Sequence, residues 1–253
     1  MAVDIQKASI WKRMAAWILD ILLLCVLAVG FGALLSWLLG YDGYSQSLEA
    51  AYDRIESQHG VVFDITQEEY QAMSQAEREA YDAAYDVLIR DEESMYLYNM
   101  VVNLSMLITT AGILLACMAL EFVVPLLLKN GQTIGKKIFS LGVVRQDGVK
   151  LNTMQLFVRT LLGKYTIETM VPVYILMMLF WGMMDMTGML LLAGLVIAQV
   201  ILLFAHRNNA QIHDLLAGTV VVDISSQKIF TSTQELIEYT KRIHADRAAR
   251  KDY

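Results

Sequence analysis

Long uncharged stretches dominate the pattern of hydrophobic and polar positions along the chain. Residues 100–120 and 186–205 carry no charged side chain, and residues 14–39 carry only Asp20. A shorter uncharged stretch runs from Thr169 to Met184. A helix needs about 20 mostly apolar residues to cross a hydrocarbon core of roughly 30 Å. The pattern therefore predicts an all-α membrane protein built as a four-transmembrane-helix bundle.

Between the first two predicted spans, residues 41–95 form an acidic insert with helical spacing of its apolar residues. The insert holds fourteen Asp or Glu residues and three Arg residues. The sequence Thr66-Gln-Glu-Glu69 matches a capping box and predicts a helix start, and the turn around His59-Gly60 separates this helix from an earlier one. We expect an extracytoplasmic helical insert. A solvated acidic cap is the favoured interpretation, and a site that concentrates cations or a surface for a protein partner stays open.

The loop between the second and third predicted spans has the pattern of a small cytoplasmic β-hairpin. Residues 138–145 and 149–151 flank Asp147-Gly148, a dipeptide that favours the positive φ angles of a tight turn. The β-branched stretch 219–224 is a candidate third strand. Asn152 predicts the start of a helix along the membrane interface, and Ser232 predicts the start of a last helix.

These features divide the chain of 253 residues into six segments. Composition agrees with a membrane protein, because 56% of the residues are apolar and only 18% are charged. The segments are 1–40 (N-terminus and transmembrane helix 1), 41–95 (insert), 96–128 (transmembrane helix 2), 129–164 (hairpin and interfacial helix), 165–205 (transmembrane helices 3 and 4) and 206–253 (C-terminal segment).

Basic residues set the expected orientation, because Lys and Arg beside the spans favour the cytoplasmic side. Three precede the first span, seven lie from Lys129 to Lys164, and seven follow from Arg207 onward. Only three lie elsewhere, all in the insert. We therefore expect a multi-pass protein of the cell membrane with both termini in the cytoplasm. Its basic cytoplasmic face would attract anionic lipid headgroups of the bilayer.

Asp20 is the clearest polar residue inside a predicted span. A carboxylate in hydrocarbon costs at least a few kcal/mol, so it needs a partner. Arg13 lies seven residues earlier on the same helix face but about 10 Å away along the axis, which is too far for a direct pair. Asp20 is therefore either a hydrogen-bonded packing residue or a proton or cation ligand, and the two interpretations are balanced. Glu168 follows Lys164 by four residues and predicts a local helical ion pair.

Motifs for covalent chemistry are missing from the sequence. We find no glycine-rich nucleotide loop, no nucleophile elbow and no zinc-ligand spacing. We therefore expect no enzyme, no cofactor, no bound structural metal and no nucleic-acid partner.

Several ordered motifs together resemble the RDD family of membrane proteins. They are Arg13 with Asp20, Gly-Gln-Thr-Ile-Gly-Lys at residues 131–136, Gly-Val-Val-Arg-Gln-Asp-Gly at residues 142–148, Arg159, and Gln-Ile-His-Asp-Leu-Leu-Ala-Gly-Thr-Val-Val-Val at residues 211–222. The Arg and two Asp of the family's name match Arg13, Asp20 and Asp214. The resemblance covers Trp11 to Val222, but the insert is longer than the short connection typical of the family.

The resemblance implies either of two functions. Some family members are proposed to exchange cations for protons, and others to be assembly partners in larger membrane complexes. We expect a transporter, with a homo-oligomer enclosing the pathway, and keep a non-transporting scaffold as the alternative. The proton- or cation-binding candidates are Asp20, Asp214, His213 and Glu121, and the supporting candidates are Arg13, Arg159, Gln132 and Lys136.

Overall fold

The computed structural model describes residues 8–128, 131–180, 182–205 and 210–251. These residues form two compact units, one comprising those up to Ala28 and from Ile113 onward, the other comprising Val29–Gly112. The helices are α1 (Ile10–Leu39), α2 (Tyr41–His59), α3 (Gln67–Ala72), α4 (Gln75–Arg90), α5 (Glu92–Leu128), α6 (Ile134–Ile138), α7 (residues 153–180), α8 (Met186–Ala205), α9 (Ile212–Ala217) and α10 (Thr233–Lys251). The strands are β1 (Leu141–Arg145) and β2 (Thr219–Asp223).

Three helices of the described chain, α1, α5 and α8, are long and apolar enough to cross a membrane. The predicted span from Thr169 to Met184 is not among them. Its first residues complete α7, whose apolar end packs against α8, and Trp181 lies outside the described residues. The structure thus gives a mostly helical membrane protein with three candidate spans, and the four-helix bundle stays a prediction. The interfacial helix and the third span were predicted as separate segments that meet at residue 164. In the structure, one continuous helix, α7, runs through this position from the interfacial segment into the apolar end.

The insert folds as helices, as its spacing predicts. Thr66 and Ser74 each form a complete capping box, with Glu69 and Glu77 respectively. The second box divides the region after Thr66 into two helices, α3 and α4, and α4 packs against α2. Within the same unit, Arg54 on α2 donates to the carboxylates of Asp91 and Glu93 at 2.9 Å each.

The Thr66 cap supports a local stability prediction. The hydroxyl of Thr66 accepts the backbone N–H of Glu69 at 3.2 Å, and removing an N-cap side chain costs about 1 kcal/mol. We expect Thr66→Ala to raise amide exchange in α3 by about fivefold while leaving α10 unchanged. Hydrogen exchange followed by mass spectrometry measures both helices in one sample. Equal exchange in the variant and the wild type would show that the cap contributes nothing.

The two-stranded sheet differs from the predicted hairpin. β1 pairs antiparallel with β2, in register from Leu141 opposite Asp223 to Arg145 opposite Thr219. The predicted return arm, residues 149–151, contributes only isolated bridges, although the turn forms with Gly148 at a φ of 82°. The arm is too short because α7 begins directly after Asn152, which caps that helix as predicted. The candidate third strand, residues 219–224, is confirmed as a strand at Thr219–Asp223, and it supplies the five paired residues instead.

The sheet packs against the start of α1. Leu141, Val143 and Val221 share one face and form a core with Ala8 and Ala16. On the opposite face, Val144, Val220 and Val222 pack with Ile229. The loop that precedes β1, and α9, which precedes β2, are thereby held beside the first turns of α1.

Two helices widen into π-helical stretches where they carry charged residues. In α5 the stretch is Met118–Val123, which contains Glu121, and in α7 it is Val158–Met170. The α7 stretch contains Arg159, Lys164 and Glu168. π-Helical turns are rare and occur frequently at functional sites, so these positions are candidates for the site.

Candidate functional site

Asp20 is held by the loop and short helix that precede β1. One carboxylate oxygen accepts the hydroxyl of Thr133 at 2.5 Å, and the other accepts the backbone N–H of Gly135 at 2.8 Å. The Nζ of Lys136 lies 3.6 Å from the same oxygen that Thr133 contacts. Asp20 is 8% exposed, so this carboxylate faces protein donors rather than lipid. The Gly-Gln-Thr-Ile-Gly-Lys motif thus supplies all three partners.

Gly135, in the first turn of α6 directly after this loop, allows the segment to touch the backbone of α1. A Cβ at this position would lie 2.3 Å from the carbonyl oxygen of Ala16 and 2.8 Å from a carboxylate oxygen of Asp20. Distances under about 3 Å are too short for a carbon atom, so only glycine fits. Gln132 secures the same loop, because its amide donates to the carbonyl of Leu141 at 2.7 Å.

Asp214 lies in a second set of contacts, at the start of α9. Its carboxylate is 2.9 Å from Arg159 and 3.3 Å from Arg13, and it accepts the hydroxyl of Thr219 at 3.0 Å. Asp214 is fully buried. Burial alone raises the pKa of a carboxyl group, but the guanidinium groups of Arg159 and Arg13 and the hydrogen bond from Thr219 hold the pKa of Asp214 well below its usual range.

His213 links Asp214 to the π-helical stretch of α7. Its Nδ1 is 2.8 Å from each carboxylate oxygen of Glu168, and its Nε2 is 2.8 Å from a guanidinium nitrogen of Arg159. The backbone of Gly163 lies directly against it, because a Cβ there would come within 2.4 Å of the His213 Cβ. α9 therefore packs on α7 at the histidine itself.

Glu121 and Lys164 form a third set of contacts, an ion pair between α5 and α7. The predicted local pair of Lys164 with Glu168 is therefore wrong. Neighbouring elements supply closer partners, namely Glu121 for Lys164 and His213 for Glu168. Spacing along one helix could not reveal this, because both partners come from other parts of the chain.

The three sets of contacts together balance charge in a poorly solvated region. Each side chain in them is at most 17% exposed. Burial, and next the charge of Lys164, lower the pKa of Lys136 to about 8, against the opposing effects of Glu121 and Asp20. We call the residues of the three sets together the charge network. It consists of four carboxylates (Asp20, Glu121, Glu168 and Asp214), four cations (Arg13, Lys136, Arg159 and Lys164) and the imidazole of His213.

The structure brings the predicted site residues close to protein partners but not into one cluster. Asp20 contacts Thr133, Gly135 and Lys136, whereas Asp214 contacts a different set that includes Arg13. Thr133 and Gly135 were parts of a recognised motif without assigned roles. Glu168 is the main participant that the sequence reasoning placed elsewhere. Among the residues described, no group of three or more His, Cys, Asp or Glu side chains is arranged to hold a metal ion.

The three long apolar helices indicate a helical membrane protein, and two of them, α1 and α5, carry residues of the charge network. A family model described as RDD family matches residues 7–218. The chain therefore belongs to the RDD family. Neither the search of curated proteins nor the search of solved structures returned a match.

Proposed function

We propose that this protein exchanges a monovalent cation for a proton across the cell membrane, with the carboxylate of Asp20 as the cation ligand. The observation that carries the proposal is the position of Asp20, a buried carboxylate in a candidate span that faces a hydroxyl, a backbone N–H and an ammonium group. An ionisable residue within a membrane span is by default a functional candidate.

The atoms around Asp20 suit a hard cation. The hydroxyl oxygen of Thr133 contacts one carboxylate oxygen of Asp20, and the other carboxylate oxygen and the carbonyl oxygen of Ala16 both lie against Gly135. Oxygen donors of this kind are the ligands that alkali and alkaline-earth cations prefer. The ammonium of Lys136 lies 3.6 Å from Asp20. When no cation is bound, its positive charge balances the negative charge of this carboxylate.

Lys136 supplies the proton for an exchange. Its pKa of about 8 lies close to physiological pH, so loss of its proton needs little energy. A cation that binds Asp20 repels the ammonium and favours the neutral amine, and reprotonation of Lys136 expels the cation. One cation is thus exchanged for one proton. A second copy of the chain would help to enclose the pathway, because few helices of one copy surround this site.

Reconstitution in liposomes tests the exchange directly. Vesicles that hold a pH-sensitive dye are challenged in turn with sodium, lithium and potassium. We expect the wild type to move protons when at least one cation is added, and Asp20→Asn and Lys136→Met to lose about tenfold or more of that rate. Matched controls are Asp185→Asn and Lys137→Met, whose side chains are exposed, and both should keep the wild-type rate.

The possible outcomes distinguish exchange at Asp20, exchange at another site and a scaffold role. Proton movement by the wild type that Asp20→Asn retains in full would leave exchange intact and remove Asp20 as its ligand. An inactive wild type that remains folded would reject exchange and support the second candidate, a scaffold in which the charge network fixes the loops to α1. The full enclosure of Asp214 by Arg13, Arg159 and Thr219 favours that candidate, because such a group is saturated by protein partners.

A further inference from the structure

His213 is surrounded by charged groups from each element that packs on it. Glu168 and Arg159 face it from α7 at 2.8 Å each, and the carboxylate of Asp214 on its own helix lies 3.6 Å from Nε2. Arg13 of α1 approaches the same region by pairing with Asp214. From β2, Thr219 contacts Asp214. The imidazole is 3% exposed, so these groups take the place of water around it.

The contacts of the ring define its protonation state. A guanidinium group can only donate hydrogen bonds, so the Nε2 that faces Arg159 at 2.8 Å must present a lone pair. The Nδ1 that faces Glu168 must then carry the hydrogen, because a carboxylate accepts. The imidazole is therefore neutral, with its proton on Nδ1.

Charge balance agrees with the neutral ring. Arg13 and Arg159 carry two positive charges, and Asp214 and Glu168 carry two negative charges. A protonated imidazole would add a third positive charge in a buried place. Its new N–H would also point at the guanidinium of Arg159, so the two groups could not keep their present contact.

We propose that His213 is a proton-binding site that controls the contact between α9 and α7. A hydronium ion gives up a proton to Nε2 and becomes water, a new N–H bond forms, and the hydrogen bond from Arg159 to that nitrogen breaks. Arg159 keeps its charge and its pair with Asp214, while the imidazolium keeps its bond to Glu168. Because the backbone of Gly163 already lies against the Cα and Cβ of His213, α9 cannot move closer to α7 to relieve the repulsion between the imidazolium and Arg159, and it moves away instead. This proposal does not depend on cation exchange at Asp20.

The direction of the pH effect follows from the burial of the ring. Burial lowers the pKa of His213, against the opposing attraction of Asp214. The unfolded chain, with an ordinary histidine pKa of about 6.5, then binds more protons than the folded chain at mildly acid pH. The stabilising contribution is complete above about pH 6.5 and is lost as the pH falls toward the lower pKa of the folded state.

Hydrogen exchange of the full chain in nanodiscs tests the proposal. We expect peptides that cover α9 to lose about tenfold in protection between about pH 7.5 and pH 5, after correction for the intrinsic exchange rate. His213→Gln, which cannot take up a proton at this position, should show no such change. His244→Gln, whose histidine is exposed, should behave as the wild type does. Equal protection of the wild type at both values, or a full pH response in His213→Gln, would overturn the proposal.

Nitrogen chemical shifts of the wild type give a readout that needs no variant. With ¹⁵N-labelled histidine, we expect one ring that is neutral and protonated on Nδ1 at about pH 7.5 and that becomes charged only below about pH 6.5. This measurement remains available if His213→Gln does not fold. A buried ring that is already charged at about pH 7.5, or protonated on Nε2 alone, would contradict the assignment.

Discussion

Asp214→Asn is expected to lower the free energy of unfolding by about 3–5 kcal/mol, because it removes one partner from a buried ion pair and leaves the other charges uncompensated. Asp214 is the shared anion of Arg13 and Arg159, whose side chains are themselves almost completely buried. The asparagine oxygen can still accept from Thr219, but its NH2 group replaces the oxygen that accepts from Arg13 and from the backbone N–H of Gln211, so the loss combines charge with these hydrogen bonds. Chemical unfolding in detergent micelles measures it.

Asp223→Asn is the matched control for that variant. Asp223 pairs with Lys12, the neighbour of Arg13 on α1, at 2.7 Å, but 44% of the Lys12 side chain is exposed. Its carboxylate also accepts from Ser225, and an asparagine keeps that bond. We expect a loss below about 1 kcal/mol, as is usual for exposed pairs. Equal losses in the two variants would show that burial of Asp214 does not set its contribution.

The residues of α1 show what the sequence could predict about the site. Asp20 is the only charged residue in its apolar stretch. Because a carboxylate without a partner is costly in lipid, the sequence predicted that Asp20 contacts a protein donor. The structure supplies those donors from the motif at residues 131–136. The separation of Arg13 from Asp20 also followed from helix geometry, and Arg13 pairs with Asp214 instead. Helix periodicity fixes which face a residue lies on, and this part of the prediction needed nothing more.

Partners that are distant in the sequence could not be predicted in the same way. Glu168 and Lys164 fit a local ion pair by spacing, yet each binds a residue of another element. The sheet shows the same limit in part, because the β-branched pattern predicted the strand at residues 219–224 but not that it is the direct neighbour of β1, more than seventy residues earlier. In both cases the local sequence pattern predicts a partner that is near in the sequence, whereas in the folded chain the contact is made with a residue or strand that is distant in the sequence. The cap at Asn152 was predictable because its partner, Gln155, lies within one helical turn.

The close approach of Gly135 to α1 explains why the Asp20 site needs a glycine in the first turn of α6. The backbone N–H of Gly135 reaches a carboxylate oxygen at 2.8 Å only because no side chain separates the loop from the Ala16 carbonyl. The Ala16 oxygen belongs to a helix backbone, so it cannot rotate away as a flexible side chain does. Any added carbon must therefore displace the loop and lengthen its bonds to Asp20.

Gly135→Ala is accordingly expected to destabilise the protein by about 2–3 kcal/mol, in the upper range for inserting an atom into a packed interior. It should also weaken the proposed cation exchange, because both donors to Asp20 move with this segment. Thermal unfolding and the liposome assay measure these effects. The control is Gly30→Ala on α1, where a Cβ meets nothing within 4 Å and alanine favours the helix by about 0.5–1 kcal/mol. If Gly135→Ala unfolds at the wild-type temperature, the loop does not rest on α1 through this glycine, and the donors of Asp20 must be sought elsewhere.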